Sequence, residues 1–104
     1  MKLVCTADPR AWAEVKDVWT RNDIKRYNEL LSGGDVAALR AFYAECIKDA
    51  CVVDIAGQEY QGIEAIFGAE DMGDLDAAVA AFWLRLPWLA YSERQKLGEA
   101  KRSG

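Results

Sequence analysis

Apolar positions follow two rhythms along the chain, and the change between them sets the expected elements. Lys2-Leu3-Val4-Cys5-Thr6 is apolar in its middle and reads as a short strand, closed by the turn signal Asp8-Pro9. A second extended segment is expected over 11–18, where Trp12 alternates with Glu14 before Val15 falls out of phase. Then the spacing changes. Ile24, Tyr27, Leu30 and Leu31 lie at i, i+3, i+6 and i+7, one stripe of a helix. Thr20 is placed to cap that helix, with Asp23 three residues on, where negative charge suits a helix N-terminus. Gly33-Gly34 ends it, and Asp35 caps another. Val36, Leu39, Phe42 or Tyr43, Cys46 and Ile47 form the buried face of the second, so the pair makes an αα-hairpin.

Cys51-Val52-Val53-Asp54-Ile55 is β-branched and strand-like. Gly57-Gln58 is the expected turn, and Glu59-Tyr60-Gln61 the returning strand. Gly62 opens a short helical piece over Ile63–Phe67, and Gly68 and Gly73 bracket an acidic loop. Asp74 is the expected cap of a last helix with Leu75, Val79, Phe82, Trp83, Leu86 and Leu89 or Ala90 on its apolar face. Pro87 lies inside that run and cannot donate to the carbonyl of Trp83, which predicts a kink. Gly98 is the expected stop, leaving 99–104 as a polar tail. The expectation is therefore an α+β, helix-dominated fold, with three main helices and one or two short β-hairpins, in one globular domain over 1–98. Its core should hold Leu39, Phe42, Ile47, Val53, Leu75, Val79, Phe82 and Leu86.

Composition narrows the function. The net charge of −4 argues against a non-specific grip on nucleic acid. No stretch approaches the roughly 18 apolar residues of a membrane span. No long apolar h-region follows Lys2, so no signal peptide is read and cytoplasmic residence is expected. Cys5, Cys46 and Cys51 are odd in number and scattered, which suits buried thiols better than disulfides or a zinc site. The absence of histidine excludes Ser-His-Asp and Cys-His arrangements. Asp71-Met72-Gly73-Asp74-Leu75-Asp76 lacks the later glutamate of a calcium loop, and its glycine is misplaced. No metal, cofactor or catalytic residue is expected, and the chain reads as a non-enzymatic binder of other proteins.

Eight carboxylates and no Lys or Arg lie between Asp49 and Asp76, against four basic and two acidic residues from Tyr91 onward. That segment reads first as a solvated acidic face, and second as a docking face for a basic partner or another copy of the chain. Trp12, Trp19 and Trp83 fit core positions, whereas Trp88 falls on a different side of the last helix. Trp88 and Tyr91, i and i+3 on one side, with Arg85, Arg94 and Lys96 around them, have the composition of an interface centre with a basic rim.

The order of parts carries a resemblance. A Trp12 segment leads into Val18-Trp19-Thr20-Arg21 and a helix; Gly34-Asp35 and a helix ending in Cys46-Ile47-Lys48-Asp49 follow. Then come Gly57, Gly73-Asp74-Leu75-Asp76 and a closing helix with Arg94 and Leu97-Gly98-Glu99-Ala100. Over nearly its whole length the chain resembles the small tail assembly chaperones and tail-morphogenesis proteins of tailed bacteriophages and prophages. The resemblance implies a non-enzymatic protein in the bacterial host cell that coats the tape-measure protein and recruits tail-tube subunits. A second, local resemblance runs from Gly34-Asp35-Val36 through Phe42-Tyr43 to Val52-Val53-Asp54 and Tyr60-Gln61-Gly62-Ile63. This stretch is similar to the start of NTF2-like, SnoaL-type domains, which implies a small-ligand pocket served by Asp54 and Tyr60 and about three further long strands after Gly62.

Overall fold

The computed structural model describes residues 1–68 and 72–103, the side chains of Met72 and of 98–103 excepted. Strands β1 (Lys2–Val4) and β2 (Trp12–Val15) form an antiparallel hairpin with Leu3 opposite Ala13. Helices α1 (Arg21–Gly33) and α2 (Val36–Cys46) come next. Strands β3 (Ile47–Val53) and β4 (Glu59–Gln61) form a second antiparallel hairpin. The two hairpins are not separate units. β2 pairs antiparallel with β3, Ala13 opposite Ala50, so all four strands make one sheet in the order β1-β2-β3-β4. Helix α3 (Ile63–Gly68), a 3-10 turn (Met72–Asp74), α4 (Ala77–Leu84) and α5 (Leu86–Ser103) complete the chain. None of the helices among the described residues is long and apolar enough to cross a membrane.

A period of two decides which sheet face meets the helices. Leu3, Ala13, Val15, Ala50 and Val52 share the core with Trp19, Tyr27, Phe42, Tyr43, Ile66, Val79, Trp83 and Leu86. On the opposite face, Trp12 lies across from Cys51, and the Lys2 ammonium sits 4.8 Å over the Trp12 ring. Of the eight expected core residues, Phe42, Ile47, Val53, Val79, Phe82 and Leu86 are buried, while Leu39 and Leu75 are half-buried at the margin.

Several boundaries differ from the sequence expectation. β3 starts at Ile47 rather than Cys51, because α2 ends in an extended Ile47 (φ −113°) whose β-branched side chain enters the sheet at once. Ile55 lies outside that strand and is exposed, as is Val36 at the start of α2. Phe42 and Tyr43 are both buried, Phe42 against Tyr27 of α1 and Tyr43 against Phe67 of α3 and Trp83 of α4. Asp76, not Asp74, caps α4, accepting from the Ala78 amide at 2.9 Å; Asp74 belongs to the preceding turn. α5 runs through Gly98 to Ser103, so that glycine is not a stop. After Gly62 the described residues form helices and turns, and the further strands of an NTF2-like domain are not among them.

The expected kink at Pro87 is a full break. α4 ends at Leu84, and Pro87 is the second residue of α5, a place where a helix has no use for its N–H. The Arg85 amide at the C-cap donates back to the Ala81 carbonyl at 3.0 Å, and the Trp83 and Leu84 carbonyls gain donors from outside the helix. The Tyr43 hydroxyl donates to the Trp83 carbonyl at 2.7 Å, and the Tyr27 hydroxyl donates to the Leu84 carbonyl. Burial pushes the Tyr43 phenol far above its ordinary range, which keeps it a donor. Tyr43→Phe therefore leaves a buried carbonyl short of a donor and should cost about 1–2 kcal/mol. It should appear in urea unfolding as a lower midpoint at unchanged slope.

Candidate protein-binding cleft

The start of α1 is set by a reciprocal cap. The Asp23 amide donates to the Thr20 hydroxyl at 3.3 Å, and the Thr20 amide donates to the Asp23 carboxylate at 2.8 Å. Burial alone would raise the Asp23 carboxyl, but the Thr20 amide and the Lys16 ammonium outweigh it and hold it below the usual carboxylate range. With the helix phase fixed there, Ile24 and Tyr27 turn inward, and Arg21, Lys25 and Asn28 line the outer side. Gly34 in the left-handed region (φ 68°) closes the helix and turns the chain into α2.

α5 packs beside α1. Leu86, Pro87 and Ala90 are its buried anchors, and they leave Trp88 43% exposed with Tyr91 half-buried next to it. Between the two helices lies a cleft of about 590 Å³ lined by Arg21, Asn22, Ile24, Lys25, Asn28, Glu29, Trp88 and Tyr91. The Trp88 indole N–H donates to the Asn28 side-chain oxygen at 3.3 Å. The Trp88 and Tyr91 rings meet edge to face, centroids 6.2 Å apart at 88°. Trp88 is thus held from two sides while keeping a face to solvent.

Of the five residues that the sequence groups into a binding strip, the structure brings together Trp88 and Tyr91 and separates the cations from them. Arg85 lines a different, smaller groove with Val4, Cys5, Thr6, Ala7, Phe82 and Leu89. Arg94 is half-buried on the side of α5 that feels the Asp17 carboxylate. Lys96 pairs with Glu93 on the surface at 3.1 Å. The cations that do border the aromatic pair, Arg21 and Lys25, come from α1. Their i, i+4 spacing reads in sequence as an ordinary solvated helix face, and nothing local says that Trp88 will lie across from it.

Other candidate chemistry is consumed by structure. Asp54 is buried; one oxygen accepts from the Ala56 and Gln58 amides at 3.0 and 2.9 Å, the other from the Tyr60 hydroxyl at 3.1 Å. Cys5, Cys46 and Cys51 are all buried, and burial pushes the Cys46 and Cys51 thiols up, away from the reactive thiolate. The acidic segment is not one uniform face. Asp54 points inward, Asp76 caps α4, and Glu64 pairs with Arg40; Glu70 and Asp71 lie outside the described residues. Among the described residues, no three His, Cys, Asp or Glu side chains gather as a metal ion requires. No protein-family model, curated protein or solved structure matches this chain.

Proposed function

We propose that this chain is a non-catalytic protein-binding factor that engages its partner through the α1–α5 cleft. The observation that carries the reading is the pair Trp88 and Tyr91, held in place yet open to solvent beside an apolar floor at Ile24. Most of the cleft wall is exposed side chain, so a small molecule would stay largely in water, whereas pockets that retain small ligands enclose most of their surface. An exposed, oriented Trp with a Tyr beside it is the composition of an interface hot spot. The sequence resemblance supplies the class of partner: the tape-measure protein of a tailed phage, to which the chain would recruit tail-tube subunits in the cytoplasm of the host.

Co-expression with the tape-measure protein of the same genome tests both parts. Wild type should co-purify with it. Trp88→Ala should fold normally by circular dichroism and bind at least about thirtyfold more weakly, the effect of a hot-spot residue worth about 2 kcal/mol or more. Binding unchanged in Trp88→Ala removes the cleft from the reading. Failure of wild type to co-purify removes the phage assignment.

A further inference from the structure

The cleft also carries information about what fills it, and the inference that follows rests on the binding role proposed above. Arg21 and Lys25 are both exposed, and neither forms an ion pair or hydrogen bond among the described residues. Their placement is unfavourable in the free protein on two counts. They are like charges at i, i+4 on one helix face. Arg21 also sits at the first position of α1, where the helix dipole disfavours a cation. Glu29 lies one further turn along and is not ion-paired with Lys25. A pair of cations kept against local preference beside an aromatic anchor is a place where a partner's carboxylates would gain most.

The geometry also selects the partner's backbone. Every residue lining the cleft belongs to α1 or α5, and among the described residues no strand edge borders it. An extended segment lying there would find no ladder for its own N–H and C=O groups, whereas a helix satisfies them internally. From Arg21 to Glu29 the groove floor runs along α1 for about 12 Å, roughly two helical turns. We infer that the cleft takes an acidic amphipathic helix of the partner, its apolar stripe against Ile24, Trp88 and Tyr91 and its carboxylates against Arg21 and Lys25.

The probe is a synthetic amphipathic peptide of about four turns with Leu along one stripe and Glu on its flanks, beside a twin carrying Lys in place of Glu. Binding to the full chain is read by fluorescence anisotropy of a labelled peptide. The Glu peptide should bind wild type about tenfold tighter than the Lys peptide at low salt, and the gap should close near 0.5 M salt, where the screening length falls to about 4 Å. Arg21→Glu with Lys25→Glu should reverse the order. Both side chains are exposed and make no hydrogen bond among the described residues, so this variant should fold as wild type does by circular dichroism. Equal binding of the two peptides, an order unchanged in the charge variant, or no saturation by the Glu peptide near about 1 mM overturns the inference. If Trp88→Ala loses both peptides while charge makes no difference, the cleft stands as a binding surface and only the acidic-helix assignment fails. If Trp88→Ala binds both as wild type does, the cleft itself fails.

Discussion

Phe42→Ala should lower stability by about 3–5 kcal/mol, the largest loss expected from any single truncation in this protein. Phe42 is fully buried on α2. Its ring stacks on Tyr27 at 6.3 Å and meets Tyr43 edge-on at 6.4 Å, and the Arg26 guanidinium covers it at 5.1 Å. The size of the effect depends on how far the surroundings can collapse into the space left behind. Here they are held. Tyr27 and Tyr43 are each tethered through their hydroxyls to the end of α4, so neither ring can move inward without giving up a hydrogen bond. At about 4–8 °C per kcal/mol for a domain near this size, the melting temperature should fall by at least about 12 °C. Phe82→Ala should cost less, because Phe82 lines a surface groove that solvent can enter. A melting temperature for Phe42→Ala within about 3 °C of wild type would show that the α1–α2–α4 packing is misplaced.

Asp54→Ala should be the most damaging polar substitution, at about 2–4 kcal/mol. The carboxylate closes the β3–β4 turn on itself, accepting from two backbone amides, and it ties the turn to β4 through Tyr60. Removing it strips the Ala56 and Gln58 amides of their acceptor in a part-buried place, where water replaces it only in part. Gly57, at φ 88°, lets the chain reverse, and its amide donates to the Asp54 carbonyl at 3.0 Å. Asp54→Asn keeps one oxygen acceptor and should recover about half of the loss, whereas Tyr60→Phe leaves both amide contacts of the carboxylate in place. Hydrogen exchange at Ala56 and Gln58 reads the effect locally: both amides should exchange faster in Asp54→Ala at unchanged protection of β2. Equal exchange in wild type and variant would mean that the carboxylate does not organise this turn.

The elements were legible wherever their signal is local. Thr20 and Asp23 announce a capped helix because both partners of the cap lie within one turn of chain. Asp35 and Gly34 mark the helix junction for the same reason, whereas the buried face of β2 is not the one expected: Ala13 and Val15 turn to the core, and Trp12, expected there, lies half-buried on the other face. Trp88 could be singled out as exposed because Leu86 and Ala90 already claim the inner side of its helix. What the sequence did not disclose is non-local. Nothing near Trp12 or Cys51 says that the two hairpins join, because pairing of β2 with β3 is decided by the αα-hairpin folding over and bringing distant edges together. Pro87 says that a carbonyl will lack a donor, but only the tertiary fold shows that Tyr43 and Tyr27, some 40 and 60 residues away in the chain, supply the donors and turn a kink into a break. The cleft follows the same division. Its aromatic half lies within one helical turn of α5 and could be read from spacing; its cationic half lies on α1, and only the packing of two helices against each other puts Arg21 and Lys25, rather than Arg85, Arg94 and Lys96, beside Trp88. Periodicity determines which side of an element faces inward, because that is set by the geometry of one element; which outward sides become neighbours is set by how the elements pack, and no single stretch of sequence contains it.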